Sequence, residues 1–395
     1  MFCGEIGMNR KVNQVGWIKR ISAMVGVSLG FALLPVVALN NTVQAASGVM
    51  ADSMSQTSSG MVDPEQELNQ GRQDMVTKDK AKVAIDKARI VPAKTKEGSG
   101  TITLPLTDKM ITMVSNVVYE QVPMRGYENV AMKMNILRPK QAEPMPCVVY
   151  VTGGGFINAN KDSYTDLQMD LAKAGYVVAS IEYRVAPTAV FPQPLEDVKA
   201  AVRFLRAHAK QYNINPNKIG LWGGSAGGYL VAMAGVTNGD KQFDVGDYLN
   251  ESSDVQAVVD FYGLSDLTKV GADYSPAIQK LHRSAGATEA LWVNGSPVFG
   301  GIDGGIMANP KGAKAANPIT YISSQTPPFL LMHGDKDVIV SPSQTELLHK
   351  ALIAHGLDST RYIVKGAGHG GVYWVQPDIV NLVIQFFNRT LKGEK

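Results

Sequence analysis

Ser225 stands in Gly223-Gly224-Ser225-Ala226-Gly227, between the apolar run 218–222 and the helix-forming stretch 229–234. A serine lifted onto a sharp strand-to-helix turn has a strained backbone, so the residues two positions away on each side must lack bulk. Its Oγ then clears the sheet, and the helix N-terminus beneath it favours developing negative charge. An ordinary glycine-rich turn is the other reading of the pentapeptide. A serine hydroxyl is a poor nucleophile until a base takes its proton, and the base needs a third group to hold it. The chain has six histidines. His208, His349 and His355 fall in or near the ends of amphipathic helical stretches, and His282 falls in a segment without strands. His333 directly follows an apolar strand and is expected to brace its loop by hydrogen bonding. His369 lies in Gly366-Ala367-Gly368-His369-Gly370-Gly371, a flexible loop just after the last strand, and is the expected base. The acid should follow a strand between serine and histidine, where Gly334-Asp335-Lys336-Asp337 supplies two carboxylates; their spacing leaves both open. Negative charge on a tetrahedral intermediate calls for preorganised N–H donors. Ala226 should give one, and the loop Thr152-Gly153-Gly154-Gly155-Phe156 can give others.

These groups need a scaffold that brings strand ends together. Residues 116–122 and 130–137 read as a pair of strands. Residues 147–151 and 176–181 are continuous apolar runs, suited to strands covered on both faces. A strand over 218–222 leads into the serine, with Asn215-Pro216-Asn217 before it as turn residues; 255–262, 329–332 and 360–364 are further strands. Helical spacing covers 164–173, 194–209, 343–355 and 379–391, with Leu195, Val198, Val202 and Leu205 on one face of the second. Strand–helix alternation of this kind implies an α/β fold, a mostly parallel twisted sheet with helices on both faces and sites at the carboxyl ends of the strands. Residues 265–317 interrupt it: no strand, many glycines, and the expected role of a partly helical cap beside the site. Gly300-Gly301-Ile302-Asp303-Gly304-Gly305 lacks the flanking strand and Lys-Ser/Thr of a phosphate loop and reads as plain loop.

The 395 residues are 45% hydrophobic and 18% charged, as in a globular chain with a sizeable core. Residues 1–46 carry Arg10, Lys11, Lys19 and Arg20 against Glu5, which accounts for the whole net charge of +3 and leaves the rest balanced, without a basic signature for nucleic acid. That stretch runs basic, then uncharged over 21–39, then small at Val43-Gln44-Ala45-Ala46, the pattern of a cleaved signal peptide. Secretion or a periplasmic location follows, with a membrane anchor as the alternative if the segment is kept. Residues 47–100 read as a polar tail or linker, and 101–395 as the functional domain. Loss of Cys3 with the signal leaves Cys147 alone inside an apolar run, the setting of a buried small hydrophobe. No His/Cys cluster suggests a metal, and no cofactor is expected.

Five motifs follow one another in order. They are the Gly-Gly-Gly-Phe loop; Ile181-Glu182-Tyr183-Arg184-Val185-Ala186-Pro187; Phe191-Pro192-Gln193-Pro194-Leu195-Glu196-Asp197-Val198; the Gly-Gly-Ser-Ala-Gly turn; and His333-Gly334-Asp335-Lys336-Asp337. As a set over about 115–392 they resemble the α/β-hydrolase esterases and lipases of the hormone-sensitive-lipase branch, in the style of bacterial secreted acetyl-xylan and feruloyl esterases. The resemblance implies a Ser225, Asp337, His369 triad, in the chain order of that fold. It implies Asp337 rather than Asp335 as acid, and Gly154, Gly155 and Ala226 as oxyanion donors. One departure is Thr152, which stands where the family usually has a loop-holding histidine. The expected activity is hydrolysis of short-chain or aromatic acyl esters of small alcohols or carbohydrates through an acyl-enzyme. Phe156, Trp292 and Phe299 are expected to line the substrate space, with a small hydrophobic core under the insert as the other reading of Trp292 and Phe299. Amide or peptide hydrolysis by the same triad is a second reading, and a non-catalytic binding protein on this fold is a third.

Overall fold

The computed structural model describes residue 106 and residues 108–394. The expected signal over 1–46 and tail over 47–100 lie outside the described residues. The strands are β1 (Ile111–Met124), β2 (Tyr127–Pro139), β3 (Met145–Val151), β4 (Val177–Ile181), β5 (Ile214–Gly224), β6 (Ala257–Phe261), β7 (Phe329–Gly334) and β8 (Ser359–Val364). They form one sheet in the order β1-β2-β4-β3-β5-β6-β7-β8. β1 with β2 and β2 with β4 are antiparallel, and every other pair is parallel. This is the α/β-hydrolase fold.

The central strands are apolar throughout because helices cover both faces. Every residue of β3, β4 and β6 is buried. Along β3, Val149 and Val151 join one cluster with Leu195, Val198 and Val202 of α2 (Gln193–Ala207), Leu230 and Met233 of α3 (Ala226–Val236) and Leu348. Val148 and Tyr150 join the other, with Leu167 and Leu171 of α1 (Thr165–Lys173), Val383 and Phe387. Cys147 is fully buried in the first cluster.

Three boundaries differ from the sequence reading. The β1–β2 hairpin is longer than 116–122 and 130–137. Its β1 half has a partner on one side only and leaves Met113, Val114 and Val118 exposed, so the period-2 burial signal fades there. β5 begins at Ile214 and takes in Asn215-Pro216-Asn217. The register with β3 jumps from Met145↔Ile214 to Cys147↔Ile219, so these turn residues sit in a bulge within the strand. The third is β6, which closes at Phe261 and leaves Tyr262 to turn away at φ 42°.

Between β6 and β7, residues 265–317 hold α4 (Pro276–His282), α5 (Thr288–Asn294), α6 (Pro310–Ala315) and single 3-10 turns, without a strand. After β7 come α7 (Ser343–Ala354), β8 and α8 (Pro377–Phe387). Among the described residues no helix is long and apolar enough to cross a membrane.

Candidate active site

The turn after β5 puts Ser225 at φ 56° and ψ −124°, a conformation that costs about 1–3 kcal/mol and persists only when its surroundings impose it. Those surroundings are close. A Cβ on Gly227 would lie 2.0 Å from the Val151 carbonyl oxygen, and one on Gly223 would lie 2.4 Å from the Gly227 carbonyl oxygen. The Ser225 N–H donates to the Phe261 carbonyl at 2.9 Å, and the Ser225 carbonyl accepts the first helical bond of α3 from Tyr229 N–H at 2.9 Å. Elbow, β6 terminus and helix are thus one unit.

The loop after β8 presents His369 to this serine. His369 Nε2 lies 2.8 Å from Ser225 Oγ, and His369 Nδ1 lies 2.7 Å from Asp337 Oδ2. A carboxylate only accepts, so Nδ1 carries the proton and Nε2 is left to accept from the serine hydroxyl. Ser225 and His369 are partly exposed, whereas Asp337 is buried. Burial alone would raise the Asp337 pKa. Hydrogen bonds from His333 and His369, the His369 charge and the Val340 N–H outweigh it and hold the carboxyl well below the usual carboxylate range. Asp335 is exposed, and its Oδ1 accepts the Gly366 N–H at 2.6 Å, so it ties down the start of the His369 loop. His333 braces the acid loop, with its Nε2 2.9 Å from the Val340 carbonyl oxygen.

The glycine loop after β3 abuts the elbow, for a Cβ on Gly153 would lie 3.0 Å from Ser225 Cβ. Gly154 has φ 158°, and its carbonyl accepts the N–H groups of Ile157 and Asn158, each at 3.0 Å. A Cβ there would lie 2.1 Å from the Asn158 carbonyl oxygen, so only glycine fits. Among the described residues, the N–H groups of Gly154, Gly155 and Ala226 donate to no other backbone group. Thr152 does not leave the loop slack. The Tyr183 hydroxyl donates to the Thr152 carbonyl at 2.8 Å, and the Ala186 N–H donates to the Phe156 carbonyl at 2.8 Å.

The three aromatic residues expected to line the substrate space divide. Phe156 is 1% exposed and Trp292 is 0% exposed. Their rings stack 4.3 Å apart, and both meet the ring of Tyr229 edge-on. The loop and α5 bury these large apolar surfaces against α3, so Phe156 and Trp292 are core residues, a correction to the sequence reading. Phe299 is exposed, with the Arg125 guanidinium of the β1–β2 turn 4.1 Å over its ring. Besides Trp292, the insert reaches the site through Tyr274 and Thr288. The Tyr274 hydroxyl donates to the Asp337 carbonyl at 3.1 Å, and a Cβ on Gly155 would lie 4.0 Å from Thr288 Cγ2.

Two further groups behind Ser225, His369 and Asp337 carry no signal in the sequence. The rings of Tyr262 and His369 meet edge to face, their centroids 4.8 Å apart. Asp260 sits at the end of β6 beneath the first turn of α3; a Cβ on Gly228 would lie 2.3 Å from its Oδ1. Its Oδ1 accepts the Gly263 N–H at 2.9 Å, while its buried Oδ2 has no partner. Burial pushes this carboxyl up to about 7, against the lowering effect of the Gly263 N–H. The folded protein therefore holds the proton more tightly than the unfolded chain. Both states are protonated at low pH; as pH rises from about 4 towards 7 only the unfolded chain ionises freely, and folding loses about 1.4 kcal/mol per pH unit over that window. Asp260→Asn should therefore melt higher than the natural protein at pH 7 and lose that advantage by pH 4. Thermal unfolding of both across this range checks it, and a gap that does not change with pH would rule Asp260 out as the titrating group.

The family described as BD-FAE matches residues 134–352, more than half of the 395. The chain belongs to the BD-FAE family. Within the matched span lie β3, the glycine loop, the elbow, the insert and the Asp337 loop, whereas His369 follows it. Esterase LipC of Mycobacterium tuberculosis is 31% identical over 247 residues, 61% of this BD-FAE chain and 57% of that protein. The probable carboxylic ester hydrolase LipM of the same organism is 29% identical over 251 residues, 62% of this chain and 54% of that one. The chain thus spans about half the length of the curated relatives it matches. A solved structure described as a truncated carbohydrate esterase from gut microbiota is 28% identical. It superposes with a TM-score of 0.61 over 71% of this chain and 96% of its own.

Proposed function

We propose that this BD-FAE chain is a secreted serine carboxylesterase acting on short-chain or aromatic acyl esters, those of plant polysaccharides among them. The observation that carries the reading is the continuous hydrogen-bonded line from Ser225 Oγ through His369 to Asp337, at 2.8 and 2.7 Å. Ser225 Oγ attacks the ester carbonyl carbon while His369 Nε2 takes its proton, and Asp337 steadies the imidazolium that forms. The carbonyl oxygen gains negative charge beside the N–H groups of Gly154, Gly155 and Ala226, whose unspent donors are worth several kcal/mol of barrier together. Collapse breaks the bond to the alkoxy oxygen, and His369 returns the proton to the departing alcohol. Water repeats the sequence on the acyl-enzyme and frees the acid and Ser225.

The substrate class draws support from the likeness to the esterases LipC and LipM and to the gut carbohydrate esterase. The insert over 265–317, touching both the glycine loop and the acid loop, is the segment that sets substrate choice, with Phe299 at its exposed edge. Secretion rests on the basic–apolar–small pattern of residues 1–46, and 101–395 is the catalytic domain.

Labelling with a fluorophosphonate probe, followed by a panel of esters varying in acyl length and sugar attachment with matched anilides, tests the reading. Labelled Ser225 and turnover of esters well above anilides are expected. Faster anilide cleavage would make the protein an amidase, and an unlabelled Ser225 in folded protein would make it a binding protein.

A further inference from the structure

Asp337 Oδ2, the oxygen that receives His369, also receives a second histidine. His333, next to last in β7, is fully buried, and its Nε2 lies 3.1 Å from Asp337 Oδ2 as well as 2.9 Å from the Val340 carbonyl oxygen. A carboxylate and a carbonyl can only accept, so His333 Nε2 carries a proton and is shared between them. On the far side of the ring, His333 Nδ1 lies 3.1 Å from Thr345 Oγ1, and that hydroxyl in turn accepts from Arg361 Nε at 3.1 Å. The chain Arg361, Thr345, His333, Asp337, His369, Ser225 thus runs from β8 through α7 and β7 to the serine without a break.

The division of labour on the carboxylate is specific. Asp337 Oδ1 accepts the N–H groups of Ile339 at 2.9 Å and Val340 at 3.0 Å, which anchor that oxygen to the loop. Oδ2 is left to the two imidazoles, His369 at 2.7 Å and His333 at 3.1 Å. Two donors on one oxygen compete for the same negative charge, so what His333 draws off is withdrawn from the bond that steadies the His369 imidazolium. The hydroxyls of Tyr262 and Tyr274 also stand near this carboxylate, Asp335 and Lys336 precede it on the loop, and Arg361 is linked to His333 through Thr345.

Building on the esterase reading, we propose that His333 is a positioning residue of the reaction: through Oδ2 it sets the orientation of Asp337 and the share of its charge available to His369. The role differs from bracing a loop. A brace is satisfied by Val340 alone; this contact is made to the oxygen that the catalytic base uses.

His333→Leu removes the donor, and His333→Gln keeps a side-chain N–H near the position of Nε2. In the Leu variant the whole charge of Oδ2 falls to His369, the imidazolium is favoured, and the acid limb of the kcat/KM profile moves to higher pH by about half a unit or more. With Oδ2 no longer held in place, Asp337 aligns His369 less well with Ser225, and kcat falls by about ten- to a hundredfold. The Gln variant should return both the limb and most of the rate. The far-downfield resonance of the His369 Nδ1 proton should move further downfield in Leu and back in Gln, a readout that needs no substrate. A purely structural role predicts otherwise: kcat and Tm fall together, the acid limb stays or moves to lower pH, and Gln fares no better than Leu. That pattern would overturn the proposal. If the Leu variant does not fold, His333→Asn, whose amide stops short of the Nε2 position, replaces it against Gln with the same two outcomes. Absence of ester turnover in the natural protein overturns the esterase reading instead, and the proton resonance still decides whether His333 governs Oδ2.

Discussion

Ser225→Ala should leave a folded protein whose kcat for ester hydrolysis is lower by about 10⁶. The loss is total for the covalent route because the elbow offers one oxygen. Alanine keeps the Cβ and the φ of 56°, so the turn, its bond to the Phe261 carbonyl and the start of α3 survive. His369 keeps its bond to Asp337 but has no proton to take, and the free N–H groups of Gly154, Gly155 and Ala226 have no tetrahedral intermediate to hold. Residual turnover reflects water attack on bound ester. Steady-state kinetics, with loss of fluorophosphonate labelling and unchanged circular dichroism, checks it; a drop of only about tenfold would put the nucleophile elsewhere.

Asp337→Asn should lower kcat by about 10³–10⁴, roughly 4–5.5 kcal/mol of barrier, while Asp335→Asn lowers it no more than about tenfold. The contacts of Asp337 explain the size of the effect. All four of its side-chain partners, Ile339 N–H, Val340 N–H, His333 and His369, donate to it. An amide NH₂ in either position faces a donor. Where it faces His369, the ring must turn Nδ1 into an acceptor, which moves the proton to Nε2 and removes the lone pair that accepts from Ser225. Asp335 has a single such partner, the Gly366 N–H, and asparagine can still accept from it. Kinetics on the two purified variants, with circular dichroism as a folding check, give the ranking. A reversed order would move the acid to Asp335, and two mild effects would remove the triad from the mechanism.

Much of the scaffold was legible because its causes are local. The apolar runs of β3 and β4 announce strands covered on both faces, since a strand with one solvated face would alternate. The elbow was legible for a steric reason: a side chain at Gly223 or Gly227 meets backbone at 2.4 or 2.0 Å, so the spacing of the glycines records the turn itself. His369 emerged from its place after the last strand, and the insert from its lack of any strand period. Where local causes weaken, so did the reading. The outer part of β1, paired on one side, carries little burial pattern, and the bulge in β5 hid a strand behind turn residues.

The partnerships were decided by tertiary structure. Asp335 and Asp337 are two residues apart and chemically identical, and the curl of the loop after β7 turns Asp337 inward to four donors and leaves Asp335 outside. Phe156 and Trp292 suit a pocket wall as well as a core by composition; the stack on Tyr229 made them core. His333 was readable as a brace, but its bond to the oxygen that holds His369 depends on how β7 and the Asp337 loop pack against α7. A sequence specifies side-chain types and the periods that bury them. Which of two eligible groups meets a partner 32 or 144 residues away follows from how loops settle at the carboxyl end of the sheet, where packing favours the contact that gives a buried carboxylate its donors.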